Sequence, residues 1–132
     1  MPAKITFNMC SIITFLFSAA FYIAPKFFTI LAFPTSKGLA LDVGITMSYF
    51  LAAGMFCVCC LLFQAKYLVR ESDQKSHHLG AAIGFSAVCG TILYLTLFRG
   101  VGGSIPPIIA TGLMALLNCL SWVKINSQRS RF

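Results

Sequence analysis

Four uninterrupted apolar stretches run from Ile5 to Ala24, Val43 to Phe63, Leu79 to Phe98 and Ile105 to Val123, and none contains a charged side chain. Each holds about 20 residues, which at a rise of about 1.5 Å per residue covers the roughly 30 Å hydrocarbon core of a bilayer. The residues between them read as helix ends. Pro25 and Lys26 close the first stretch, and Asp42 stands in an N-cap position before the second. Gly100, Gly102 and Gly103 break the chain after the third. Ser104 with Pro106 and Pro107 opens the fourth, where proline costs no helix hydrogen bond. Sheet edges in lipid would leave backbone groups unpaired, so the stretches read as helices. The pattern predicts an all-α, integral membrane four-helix bundle, a single domain over residues 1–132.

Small residues at i, i+4 spacing mark the faces on which helices in lipid approach one another. The strips are Cys10, Thr14 and Ser18 on the first span, and Ala40, Gly44, Ser48 and Ala52 on the second. The third offers Ala82, Ser86 and Gly90 with Gly80 and Gly84 beside them; the fourth offers Thr111, Ala115 and Cys119 with Asn118 adjacent. Most of the 13 phenylalanines fall on the other faces, toward lipid or a partner.

Between the first two spans, Phe27, Phe28, Ile30, Leu31 and Phe33 are too apolar for a solvated loop. They predict a short helix in the outer interface, with Lys26 and Lys37 reaching the headgroups; the alternative is a lid folded over the bundle. Lys4, the apolar run and Ser18-Ala19-Ala20 imitate a secretory leader, but the run is longer than a leader's apolar region and is expected to remain as a span.

Composition agrees with lipid as the solvent: 58% of residues are hydrophobic and 10% charged, with a mean hydropathy of +0.87, against about 25% charged in soluble chains. The net charge of +7 is no nucleic-acid footprint, because the basic residues stand singly at the ends of apolar runs. Seven of the ten (Lys4, Lys66, Arg70, Lys75, Lys124, Arg129 and Arg131) share one side with both termini and the loop from Gln64 to His78, leaving Lys26, Lys37 and Arg99 opposite. The excess predicts both termini in the cytoplasm or its organellar equivalent, in a bacterial inner membrane or an organellar membrane. Tyr67 and Trp122 then mark the inner interface, Tyr22 and Tyr94 the outer.

Candidate chemistry is sparse. All six cysteines lie in apolar stretches and read first as packing residues. Cys57 and Cys60 have C-x-x-C spacing, which suits a soft metal, yet a helix in lipid strains a disulfide between them and solvates a thiolate poorly. Acylation of Cys59 or Cys60 near the inner interface is the better chemical reading. His77 and His78 could ligate a metal or the magnesium of a pigment, but neighbours on a helix point about 100° apart, and two exposed loop imidazoles are the expectation. Asp42 and Arg99 suggest a structural pair, or Arg99 with the following glycines a hold on a lipid phosphate. The spans carry no Asp, Glu, Lys, Arg or His, unlike those of pumps, proton-coupled transporters and voltage sensors.

From Ala24-Pro25-Lys26-Phe27-Phe28 through Leu31-Ala32-Phe33-Pro34 to the Gly- and Ala-rich second span, the chain resembles small four-helix membrane proteins of the DoxX-like kind. The resemblance covers the first two spans, implies the four-helix bundle and carries no active site. Two functions are expected. The first is a non-catalytic accessory subunit that packs on larger membrane proteins among membrane lipids. The second is a carrier or binding protein for a lipid, quinone or pigment, with Phe27, Phe28, Leu31, Phe33 and Arg99 as its contacts and no assigned cofactor.

Overall fold

The computed structural model describes residues 3–102 and 105–129, so Gly103, Ser104 and Arg131, named above at a helix end and in the charge balance, lie outside the described residues. The helices are α1 (Ala3–Ile23), α2 (Pro25–Ala32), α3 (Leu39–Ala65), α4 (Glu71–Arg99) and α5 (Ile105–Arg129). Four of them, over Lys4–Ile23, Leu39–Ala65, Glu71–Arg99 and Ile105–Ser127, are long and apolar enough to cross a membrane.

Local chemistry explains the boundaries. Ala24 leaves the helical region at φ −130° and ψ 51°, and Pro25, which has no N–H to lose, restarts the chain as α2. Gly38, at φ 55°, precedes α3, which puts Asp42 within the first turn rather than at the N-cap. Gly100 ends α4 in the left-handed conformation at φ 64°, its N–H returning to the Leu95 carbonyl. The largest departure from the sequence reading is at the start of α4. Residues 71–78 are not loop but the first two turns of the helix, with Glu71 and Asp73 in the first turn. Acidic side chains are favoured there by the helix dipole, and the Arg70 carbonyl accepts the N–H groups of Asp73 and Gln74.

Side-chain bonds between helices establish the topology. Ser11 Oγ donates to the Cys59 carbonyl (3.2 Å) and Ser18 Oγ to the Ala52 carbonyl (2.8 Å), so α1 and α3 are antiparallel. Thr6 Oγ1 and Ser121 Oγ bond at 2.8 Å, and Cys10 meets Asn118 one turn on, which sets α1 antiparallel to α5. His78 pairs with Asn118 while Cys89 Sγ reaches the Ile108 carbonyl, so α4 and α5 are antiparallel too. One end of the bundle therefore holds the start of α1, the end of α3, the start of α4 and the end of α5. The core sits toward this end: Phe7, Cys10, Leu62, Ala65, Phe85 and Met114 are buried together.

The small-residue strip of α1 packs as its spacing predicts, with Cys10, Thr14 and Ser18 all buried, and on α3 Ser48 and Ala52 follow suit. On α4 the expected face is rotated. Ser86 and Gly90 are exposed, and His78 and Phe85 turn inward instead. On α5, Cys119 is exposed and Asn118 takes the buried position beside Thr111.

At the other end, α2 leans on α3 and α1. Thr29 is buried, with Oγ1 3.3 Å from Ser48 Oγ, and its methyl group occupies the space where a Cβ on Gly44 would stand. The Phe21 and Phe28 rings pack at 4.5 Å, and Gly102 N–H donates to the Ala32 carbonyl at 3.1 Å. The segment is thus docked on the bundle along one face, as the lid reading expects. It exposes Phe27, Ile30, Leu31 and Phe33 along the other.

Candidate functional site

Two features meet at the end that holds the core: a buried polar cluster and an apolar groove. The cluster centres on Asn118. Its Nδ2 donates to the Met114 carbonyl at 2.8 Å and to Cys10 Sγ at 3.3 Å, so Oδ1 faces His78. Oδ1 can only accept, so His78 Nδ1, 2.8 Å away, carries the proton. The imidazole is fully buried and stacks on Phe7 with centroids 4.0 Å apart and planes 4° from parallel. His78 Nε2 and Trp122 Nε1 are both buried without a protein partner among the described residues. Hydrogen bonds of this kind, rather than hydrophobicity, select one packing of apolar helices in lipid.

The groove runs between α3 and α4. Val58, Leu61, Leu62 and Ala65 form one wall; Gly80, Ala81, Gly84, Phe85 and Val88 form the other, and the ring of Phe7 contributes from α1. A Cβ placed on Gly80 or Gly84 would meet nothing within 4 Å, so the glycines here widen the space rather than admit a packed helix. The volume is about 540 Å³, within the roughly 300–1,000 Å³ range of small-molecule sites. From Ser76 to Val88 the α4 wall is about 18 Å long, close to the hydrocarbon depth of one leaflet. Ser76 and His77 are the polar residues lining it, both near the start of α4.

The residues singled out from sequence are dispersed. His77 is exposed at the groove, its Nδ1 3.1 Å from the Asp73 carbonyl. His78, expected as an exposed loop imidazole, is instead a core residue, because α4 starts two turns earlier than the charge pattern suggests and turns this position toward α5. Cys57 and Cys60 are exposed on α3, whereas Cys59 between them is buried against Ser11. No group of three His, Cys, Asp or Glu side chains able to hold a metal occurs among the described residues. Phe27, Phe28 and Leu31 belong to α2 and Phe33 caps its end, and none of them lines the groove. Arg99 is exposed in the last turn of α4, far along that helix from Ser76.

Sequence reasoning missed Asn118 as the organising group and missed the groove altogether. An amide deep in an apolar span must find a partner, which was a usable signal for Asn118. A gap between helices leaves no such mark. No protein-family model, curated protein or solved structure matches the chain.

Proposed function

We propose that this protein crosses the bilayer four times with both termini on the cytoplasmic side, and that it binds a hydrophobic small molecule of the lipid class between α3 and α4. The groove carries the reading. It is lined almost wholly by apolar side chains, it has the length of one leaflet's chain, and its polar residues stand at one end. That end shares a side with Lys4, Lys66, Arg70, Lys75 and Lys124, which the positive-inside rule assigns to the cytoplasm. A single-chain amphiphile of the inner leaflet therefore matches the groove in length, polarity and orientation.

The geometry favours this function over that of an accessory subunit. Exposed apolar side chains such as Leu16, Phe50, Leu97 and Ile109 are what lipid alone requires of any spanning helix. A groove walled by two open glycines is not required by lipid. The test is mass spectrometry of the intact protein released from gently extracted native membranes. One defined compound at a one-to-one ratio is the expected result. Release of a mixture reflecting the bulk lipids, or constant co-migration with one larger protein, overturns the proposal.

A further inference from the structure

We infer that the groove's occupant carries an uncharged hydroxyl headgroup, as in a long-chain alcohol or monoacylglycerol, an inference that rests on reading the groove as a lipid site. It follows from where the protons of the two polar lining residues go. Ser76 Oγ–H donates to the Ser72 carbonyl at 3.1 Å. His77 Nδ1 faces the Asp73 carbonyl at 3.1 Å; that oxygen can only accept, so Nδ1 is the donor. Both donors are spent within the first turns of α4. What remains for a headgroup is a pair of acceptors, the hydroxyl oxygen of Ser76 and the Nε2 lone pair of His77.

Charge points the same way. Among the described residues, no Lys, Arg, Asp or Glu lines the groove. The two nearby lysines are directed elsewhere: Lys66 Nζ sits 3.3 Å from the Phe63 ring centroid and Lys75 Nζ lies 5.9 Å from that of Trp122. A carboxylate or phosphate would set acceptors against acceptors with no cation in the lining; an ammonium could donate to both acceptors but would bring a charge that no lining carboxylate balances. A hydroxyl supplies a donor to one of these acceptors and leaves no charge to compensate.

The experiment compares three amphiphiles with the same chain, oleyl alcohol, oleyl phosphate and oleylamine, for binding to the purified full-length protein in detergent at pH 8, read by intact-complex mass spectrometry. Wild-type protein should bind the alcohol about threefold to tenfold more tightly than either charged analogue, the worth of roughly one net hydrogen bond. His77→Leu should remove most of the preference over the phosphate while keeping the chain bound, and His77→Gln, which retains an acceptor, should keep it. Equal or tighter binding of the phosphate or the amine overturns the headgroup assignment and leaves the groove as a lipid site. If no analogue binds, or if Gly84→Leu reduces the binding of none, the groove reading fails and the assignment with it.

Discussion

Replacing Asn118 with leucine tests whether the buried polar cluster specifies the packing of α1, α4 and α5. The substitution removes the acceptor of the 2.8 Å bond from His78 and the donor to Cys10. It strands His78 Nδ1–H at a position with 0% exposure. An unpaired buried donor costs about 1–3 kcal/mol, and side-chain hydrogen bonds between membrane helices average about 0.6 and reach about 1.7 kcal/mol. Asn118→Leu should therefore destabilise the bundle by about 1–3 kcal/mol. His78→Phe alone keeps a ring for Phe7 to stack on and leaves Asn118 Oδ1 without its partner. The double variant strands neither group and also disposes of the unpartnered His78 Nε2. It should accordingly be more stable than the sum of the two single effects implies, with a coupling of about 0.5–2 kcal/mol. Unfolding in mixed micelles with increasing dodecyl sulfate, followed by circular dichroism, measures all four corners of the cycle. Additivity within about 0.3 kcal/mol, or an Asn118→Leu protein as stable as wild type, would refute the reasoning.

Other consequences are as direct. Gly44→Ala puts a methyl group into the space held by the Thr29 methyl and should cost about 1–3 kcal/mol by overpacking. Thr29→Ser in the same chain should restore most of that loss, since it deletes the methyl and keeps the hydroxyl beside Ser48; thermal unfolding of the pair and the single checks both. Phe7→Ala removes a ring that is 1% exposed and should cost about 3–5 kcal/mol, read in the same unfolding assay. In detergent, a small thiol reagent should modify exposed Cys57, Cys60 and Cys119 quickly and buried Cys10 and Cys59 only on unfolding. Peptide mapping of the labelled protein reports which thiols react, and rapid labelling of Cys10 would contradict the core assigned to it.

The spans and most helix ends were legible because each rests on a local rule: apolar length against bilayer thickness, proline at a helix start, glycine at a helix end. Face assignments fared unevenly. On α1 the buried strip and the small residues coincide at Cys10, Thr14 and Ser18. On α4 small residues were taken for the packing face, whereas Gly80 and Gly84 wall an open groove and the bulkier His78 and Phe85 pack inward. Spacing alone does not distinguish a glycine that admits a neighbouring helix from one that keeps a space clear. Charge misled at the start of α4, since the acids of its first turn are as suited to a helix N-terminus as to a loop. His78 shows the remaining limit. Its partner is 40 positions away on α5, so its burial depends on a tertiary register that no local pattern encodes.

The central claim, that a single chain from the membrane occupies the space between α3 and α4, is tested most directly by photolabelling. The protein in bilayers would be irradiated with a trace of a single-chain lipid bearing a diazirine midway along its chain, and the labelled residues mapped by peptide sequencing. Labelling should concentrate on Val58, Leu61, Gly84 and Val88, and should fall away in Gly84→Leu protein or with excess oleyl alcohol. Label spread evenly over the outward side chains Ile12, Leu16, Phe50, Leu97 and Ile109, undiminished by either change, would mean that the groove is ordinary lipid-facing surface and would contradict the claim.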